Sequence, residues 1–393
     1  MNLHTWLLHV EYRSILRTVC VILFVCSAPY SIYAQKKLSV SEAIVCGERI
    51  VEEWKDSVRR AMSDVMESKR LTIGENTMLL DWKFFGEKPV GGRALFISLH
   101  GGGGVEPEVN DQQWRNQMRL YSPKDAVYLC PRAPFNTWDL HFHTESDDFY
   151  RQIVAMAVSC MDVDPDKVYL MGYSAGGDGV WRLAPRLADM WAAASMMAGH
   201  PGDVRLENLL NLPYMIWCGE YDSAYNRNRL CRERIEQMDS LHRDDPSGYI
   251  FEGHIIDGKG HWMDRVDTAA VEWMEQYKRN PYPRKIVWRQ EAVAKPYFYW
   301  LSAPVSESEK GREVRASIDG NNIVINKCDY SEITILLNDK MVDLDKRVKV
   351  IYQGKTLFRG RLKRKASILR STLFERNDPS YMFPAQVKVK VRR

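Results

Sequence analysis

The sequence predicts an α/β protein: a doubly wound, mostly parallel sheet in the middle of the chain, followed by a small β-rich C-terminal domain. Two observations carry this. Between residues 78 and 282, short, near-continuous apolar runs alternate with segments of helical periodicity. Such runs belong in a parallel sheet covered by helices on both faces. After YKRNPYPRK (277–285), whose prolines and charges suit a linker, the pattern changes to period two with turn residues between paired runs, as hairpins require. A length of 393 residues and a hydrophobic fraction of 45% allow one large core and a smaller one.

In chain order, residues 1–34 read as a secretory signal. Arg13 and Arg17 precede the apolar run VCVILFVCSAP, and the small Ala34 stands where a peptidase could cut before Gln35. The run is shorter than the ~20 residues of a spanning helix. The expectation is therefore export to the periplasm or exterior, with no stable membrane insertion; a retained anchor is the alternative. Val25 is too bulky to mark Cys26 as a lipidation site. Removal of the signal leaves Cys46, Cys130, Cys160, Cys218, Cys231 and Cys328, whose wide spacing permits disulfides without demanding them. Cys218 and Cys231 are the pair nearest in sequence. No CxxC or Cys/His spacing suits zinc, so no metal is expected.

Residues 35–77 are expected to be an N-terminal helical extension, with Ile50, Trp54, Val58, Met62 and Val65 on one face. Residues 78–282 hold the strand candidates RALFISLH, AVYLCP, KVYLMGY, WAAASMMAG, PYMIWCGE and YIFEGHIID. Helix candidates between them include DDFYRQIVAMAVSCM and NRLCRERIEQMDSLH. Residues 283–393 form the β-rich accessory domain, with DGNN and QGK as hairpin turns and one helix near 366–375. The aromatic run KPYFYWL could stack on sugar or pack between domains. The basic stretch RGRLKRKASILR (359–370) reads as a solvated face, or as a contact for an anionic surface. A net charge of +4 gives no reason to expect a nucleic-acid partner.

A serine hydroxyl becomes nucleophilic only when a base takes its proton and a carboxylate orients that base. Ser174 lies in GYSAG, directly after the strand KVYLM and before a helical pattern, where small neighbours let it project from a tight turn. Upstream, ISLHGGGG (97–104) leaves backbone N–H groups unshielded, as donors to a developing oxyanion must be. Gly102 or Gly103 would supply one donor and Ala175 the other. A phosphate loop fits less well, because no G-K-[ST] follows. Asp222 follows the strand PYMIWCGE, and His261 lies in the loop after YIFEGHIID. Nucleophile, acid and base thus come in that order from the carboxyl ends of three strands, which face one crevice in an open α/β sheet.

Other residues compete for roles. His200, after another strand end, is a candidate crevice residue, and Phe135, Trp138 and Phe142 either border the substrate or pack. His254 reads as a sheet histidine. His141 and His143 lack carboxylates to complete a metal site. Asp257 is the rival acid, but lies close in sequence to His261.

With these residues assembled, the region from about 90 to 280 resembles the α/β-hydrolase superfamily. Secreted polyhydroxybutyrate depolymerase-like, feruloyl esterase-like and bacterial phospholipase/carboxylesterase-like proteins resemble it most, through HGGGG, VDPDKVYLMGYSAGGDGVWRLAPR and GEYDSAYNRN. The resemblance implies a serine hydrolase cleaving a small-molecule or polymer-linked ester. Catalysis would rest on Ser174, Asp222 and His261, with Gly102 or Gly103 and Ala175 as oxyanion donors and no cofactor. A peptidase on the same scaffold is one alternative, and a protein that binds polysaccharide or envelope through its C-terminal domain is another.

Overall fold

The computed structural model describes residues 37–391, so the predicted secretory signal lies outside the described residues. Helix α1 (Val40–Ala61) begins at Ser39, whose hydroxyl accepts the Glu42 N–H while the Glu42 carboxylate accepts the Ser39 N–H. That reciprocal cap satisfies two otherwise orphaned donors. The buried stripe Ala43, Gly47, Ile50, Trp54 and Val58 then faces inward. Rather than lying on the main domain alone, α1 joins both parts of the molecule. Arg59 Nε donates to the Ser159 carbonyl at 2.9 Å, and Trp54 Nε1 donates to Asn377 Oδ1 at 2.7 Å.

After α2 (Ser63–Ser68), strands β1 (Arg70–Ile73) and β2 (Asn76–Phe84) form an antiparallel hairpin at the edge of the main sheet. The sheet therefore starts inside the segment expected to be a helical extension. It continues with β3 (Arg93–Leu99), β4 (Ala126–Arg132), β5 (Val163–Tyr173), β6 (Ala193–Met197), β7 (Tyr214–Gly219) and β8 (Phe251–Ile256). The eight strands lie in the order β1-β2-β4-β3-β5-β6-β7-β8, parallel from β4 onward. Alternate residues serve opposite faces. Leu95, Ile97, Leu99, Leu170 and Ile216 pack under α4 (Ser146–Cys160) and α5 (Ala175–Arg186), whereas Phe96, Tyr169, Met171 and Trp217 pack on the other side. Helices α3 (Pro107–Gln117), α6 (Arg227–Asp244) and α7 (Ala269–Met274) complete this part. The chain leaves β3 toward β4 and returns on its other side as β5, so the order reverses at β3/β5. A crevice opens there, beyond the carboxyl ends of the strands.

The C-terminal part contains two sheets. One orders β16-β15-β13-β12-β9 and the other β10-β11-β14-β17. Their strands are β9 (Lys285–Arg289), β10 (Tyr297–Phe298), β11 (Leu301–Ser302), β12 (Glu313–Asp319), β13 (Asn322–Cys328), β14 (Glu332–Leu337), β15 (Val348–Tyr352), β16 (Lys355–Gly360) and β17 (Ala385–Lys390), with α8 (Ala366–Arg376) before the last. The hairpin turns fall at DGNN and QGK, where Asp319 pairs Asn322 and Tyr352 pairs Lys355. Ile323, Ile325 and Val350 of one sheet and Ile333, Ile335 and Val387 of the other belong to the same buried cluster as α4, α5 and α1.

The boundary at 282/283 is consequently no gap. Phe298, Tyr299, Trp300 and Leu301 of the run KPYFYWL are buried, and the Tyr299 hydroxyl donates to the Ala188 carbonyl at 3.1 Å. The run packs between domains for most of its length, with Pro296 and Tyr297 half-buried. Beside it, Asp189 accepts from Arg376 at 2.5 Å, while Arg279 bridges Asp166 (2.8 Å) and Asp378 (2.7 Å). The cysteines from Cys46 to Cys328 are free thiols, and among the described residues no helix is long and apolar enough to cross a membrane.

Candidate active site

Strand β5 ends at Tyr173, and the chain reverses into α5 through Ser174 at φ 59° and ψ −122°. A non-glycine residue there is strained. The turn holds because its neighbours have no room for side chains. A Cβ on Gly176 would sit 2.1 Å from the Leu99 carbonyl oxygen, and one on Gly172 would sit 2.4 Å from that of Gly176. The Ser174 N–H donates to the Met197 carbonyl at 2.9 Å. The hydroxyl is thereby presented at the switch point.

His261 Nε2 lies 2.9 Å from Ser174 Oγ, and its Nδ1 lies 2.8 Å from Asp222 Oδ2. Asp222 is buried, so it accepts the Nδ1–H and leaves Nε2 to accept the serine proton; the tautomer follows from these partners. The loops bearing acid and base are zipped together. The Tyr221 N–H donates to the Lys259 carbonyl at 2.7 Å, and a Cβ on Gly219 would meet the Gly260 carbonyl at 2.0 Å. The Tyr173 hydroxyl donates to the His261 carbonyl at 2.7 Å and accepts the Met263 N–H at 3.1 Å, fixing the histidine's own backbone. The other Asp222 oxygen, Oδ1, faces Arg227 Nη1 at 3.6 Å.

Of the two glycines read as donors, the structure separates one. The Gly103 N–H is taken by Asn110 Oδ1 at 2.9 Å, and Asn110 Nδ2 returns a bond to the Gly103 carbonyl at 3.0 Å. Gly103 is therefore corrected from a donor to a tethered loop residue. The N–H groups of Gly102 and Ala175 have no acceptor among the described residues, which leaves them free for an anion. Gly102 holds φ +111°, a backbone that an L side chain rarely adopts.

Two buried histidines brace this loop. His141 Nε2 donates to the His100 carbonyl at 2.8 Å, His100 Nδ1 donates to the Gly101 carbonyl at 2.6 Å, and the Ala133 N–H donates to His100 Nε2 at 3.3 Å. Burial holds His141 down to about 4 and His100 well below the usual imidazole range, so both are neutral near pH 7. His141 is thus a structural brace. Among the described residues no group of three His, Cys, Asp or Glu side chains is placed to hold a metal ion.

The remaining candidates divide. Trp138, Phe142 and His200 line a cleft of about 560 Å³ beside Ala175, whereas Phe135 packs on Ala133, Leu140 and Ala175 and stacks on His143 at 4.2 Å, so its substrate role is withdrawn. In the same cleft burial raises the Asp178 carboxyl to about 6, against the pull of Arg227 and Arg182, and Asp178 Oδ1 accepts the His200 N–H at 2.6 Å. His254 stacks on Trp217 at 4.1 Å and pairs with Glu252, as a sheet histidine does. Asp257 is exposed in the turn after β8 and makes no bond to His261. Sequence reasoning passed over Asn110, His100 and Tyr173. His100 and Tyr173 stand inside the HGGGG and GYSAG runs, but the partners that give them their roles, Ala133, His141, His261 and Met263, are distant in sequence, and Asn110 carried no signal of its own.

This strand order, with a strained serine turn after β5 and the acid and base after β7 and β8, is the α/β-hydrolase fold. No protein-family model matches the chain. A segment of 125 residues is 33% identical to "Putative esterase NocK" from Nocardia uniformis subsp. tsuyamanensis, covering 29% of this chain and 36% of that protein. The chain thus spans about a third of that relative's length. Among solved structures, a thermostable esterase is similar over 54% of this chain and 64% of its own, at 17% identity and a TM-score of 0.41. The feruloyl esterase module from Clostridium thermocellum, complexed with sinapinate, is similar over 53% and 86%, at 16% identity and a TM-score of 0.37.

Proposed function

We propose that the protein is a serine carboxylesterase. The hydrogen-bonded chain Ser174–His261–Asp222, facing the free N–H groups of Gly102 and Ala175 across an open cleft, is the observation that carries this reading. As His261 Nε2 takes its proton, Ser174 Oγ attacks the ester carbonyl. The carbonyl oxygen becomes an oxyanion toward the N–H groups of Gly102 and Ala175. His261 then protonates the departing alcohol, leaving an acyl-enzyme. Water, deprotonated by the same nitrogen, releases the acid and restores the serine. Asp222 holds the ring and offsets its transient charge. We further propose export of the enzyme, supported by the signal pattern of residues 1–34.

Turnover of p-nitrophenyl acetate and butyrate that disappears in Ser174→Ala supports this reading. Turnover of aminoacyl amides with none of either ester would replace it with a peptidase.

A further inference from the structure

Ser174 lies between two clefts, and the chemistry just proposed distinguishes them. The bond that breaks joins the carbonyl carbon to the alcohol oxygen, and the proton that this oxygen needs comes from His261 Nε2. The alcohol half must therefore leave on the side of Ser174 that His261 occupies. His261 and Ser174 line a cleft of about 760 Å³, together with Gln113, Asn116, Arg119, Tyr173, Trp262 and Arg265. The second cleft is lined by neither Ser174 nor His261, and opens past Gly102 and Ala175, which suits the acyl half.

The alcohol cleft contains two guanidiniums and no carboxylate among its lining side chains. Arg119 has no side-chain partner among the described residues. Arg265 is held by one bond, from Nη2 to the Leu120 carbonyl at 2.6 Å, on a backbone at φ 66°. The carboxylate that acts on Arg265, Asp267, is buried and accepts a hydrogen bond from the Tyr121 hydroxyl. A guanidinium is charged at every working pH and matches a carboxylate with paired donors. Trp262, half-exposed and 5.7 Å from the Tyr173 ring, supplies a flat apolar wall, while Gln113 and Asn116 supply amides for hydroxyls.

We propose that the alcohol half of the substrate carries a carboxylate, as in the ester of a hydroxy acid or an acidic sugar, which Arg119 and Arg265 bind while its carbon skeleton lies against Trp262. This inference rests on the esterase reading.

The test compares 4-acetoxybenzoate with 4-acetoxybenzamide, which share an acyl group and differ in the charge on a leaving group of equal shape. The intact protein should favour the anionic ester in kcat/KM by roughly tenfold, a preference that shrinks with added salt. The doubly substituted Arg119→Gln, Arg265→Gln protein, checked for an unchanged thermal transition, should bring the ratio to about one. A ratio near one in the unsubstituted protein, or an unchanged ratio in the double variant, overturns the inference while leaving the esterase reading intact. Salt dependence in the unsubstituted protein decides the matter if the variant does not fold, since an equal ratio at all salt concentrations also overturns it. Failure to cleave either ester, with no fluorophosphonate adduct on Ser174, overturns the esterase reading itself.

Discussion

A free N–H at Gly102 depends on a side chain eight residues away. Asn110 is fully buried and spends its amide on Gly103, Val105 and Asn136, holding the loop open at φ +111° for Gly102. Asn110→Ala should lower kcat on a small ester by roughly ten- to a hundredfold with a smaller change in KM, because the donor is needed most when charge develops. Steady-state kinetics check this, and a change in KM alone would contradict it. His141 gives a pH prediction. Its folded value of about 4 lies below the ordinary 6.5, so between those values the unfolded chain takes the proton and the folded chain does not. The stability that it contributes is complete above pH 6.5 and is lost as pH falls toward 4, by roughly 3 kcal/mol. Urea unfolding at pH 7 and pH 4.5 should show a smaller loss in His141→Gln than in the unsubstituted protein. Ser174, Asp222 and His261 were legible at this scale because each follows a strand candidate, in the order nucleophile, acid, base. Asn110 was not, since an asparagine inside a polar helix has no pattern that distinguishes it.

At the scale of elements, the turn between β5 and α5 works by close approach. The Gly176 position admits no side chain, with the Leu99 carbonyl 2.1 Å from where a Cβ would be. Gly176→Ala must push α5 away from β3 and should destabilise the protein by roughly 1–3 kcal/mol while separating Ser174 from the Gly102 loop. Loss of both stability and ester turnover is the expected result, measured by thermal unfolding and steady-state assay; normal values for both would refute the close-packing argument. The strands β3, β4, β6 and β7 and the second half of β5 were readable because burial on both faces makes them almost wholly apolar, while β8, at the sheet's other edge, showed only the partial run YIFEGHIID. The β1–β2 hairpin escaped because a half-buried strand such as NTMLLDWKF, lying between β1 and β4, lacks both the continuous apolar run and a clean alternation. The C-terminal strands were legible from alternation and turns, but their pairing into two sheets was not, since period two fixes a face and not a partner.

For the whole molecule, the two parts share one buried cluster and a set of buried ion pairs, Arg376–Asp189 and Arg279–Asp378 among them. The sequence indicated a linker at YKRNPYPRK, yet Arg279 within that stretch is buried with its charge paired, so the segment anchors the domains. Asp189→Ala leaves Arg376 buried without its carboxylate and should cost about 3–5 kcal/mol. Calorimetry should show one cooperative transition in the intact chain, lowered in the variant; two separate transitions would contradict a shared core. The intact chain is also the object for the most direct test of the central claim, that Ser174 is an activated nucleophile. Incubation with a fluorophosphonate and peptide mapping by mass spectrometry should place one adduct on Ser174, absent in Ser174→Ala and strongly slowed in His261→Ala. An adduct that persists in Ser174→Ala, or that maps to another residue, would contradict the account.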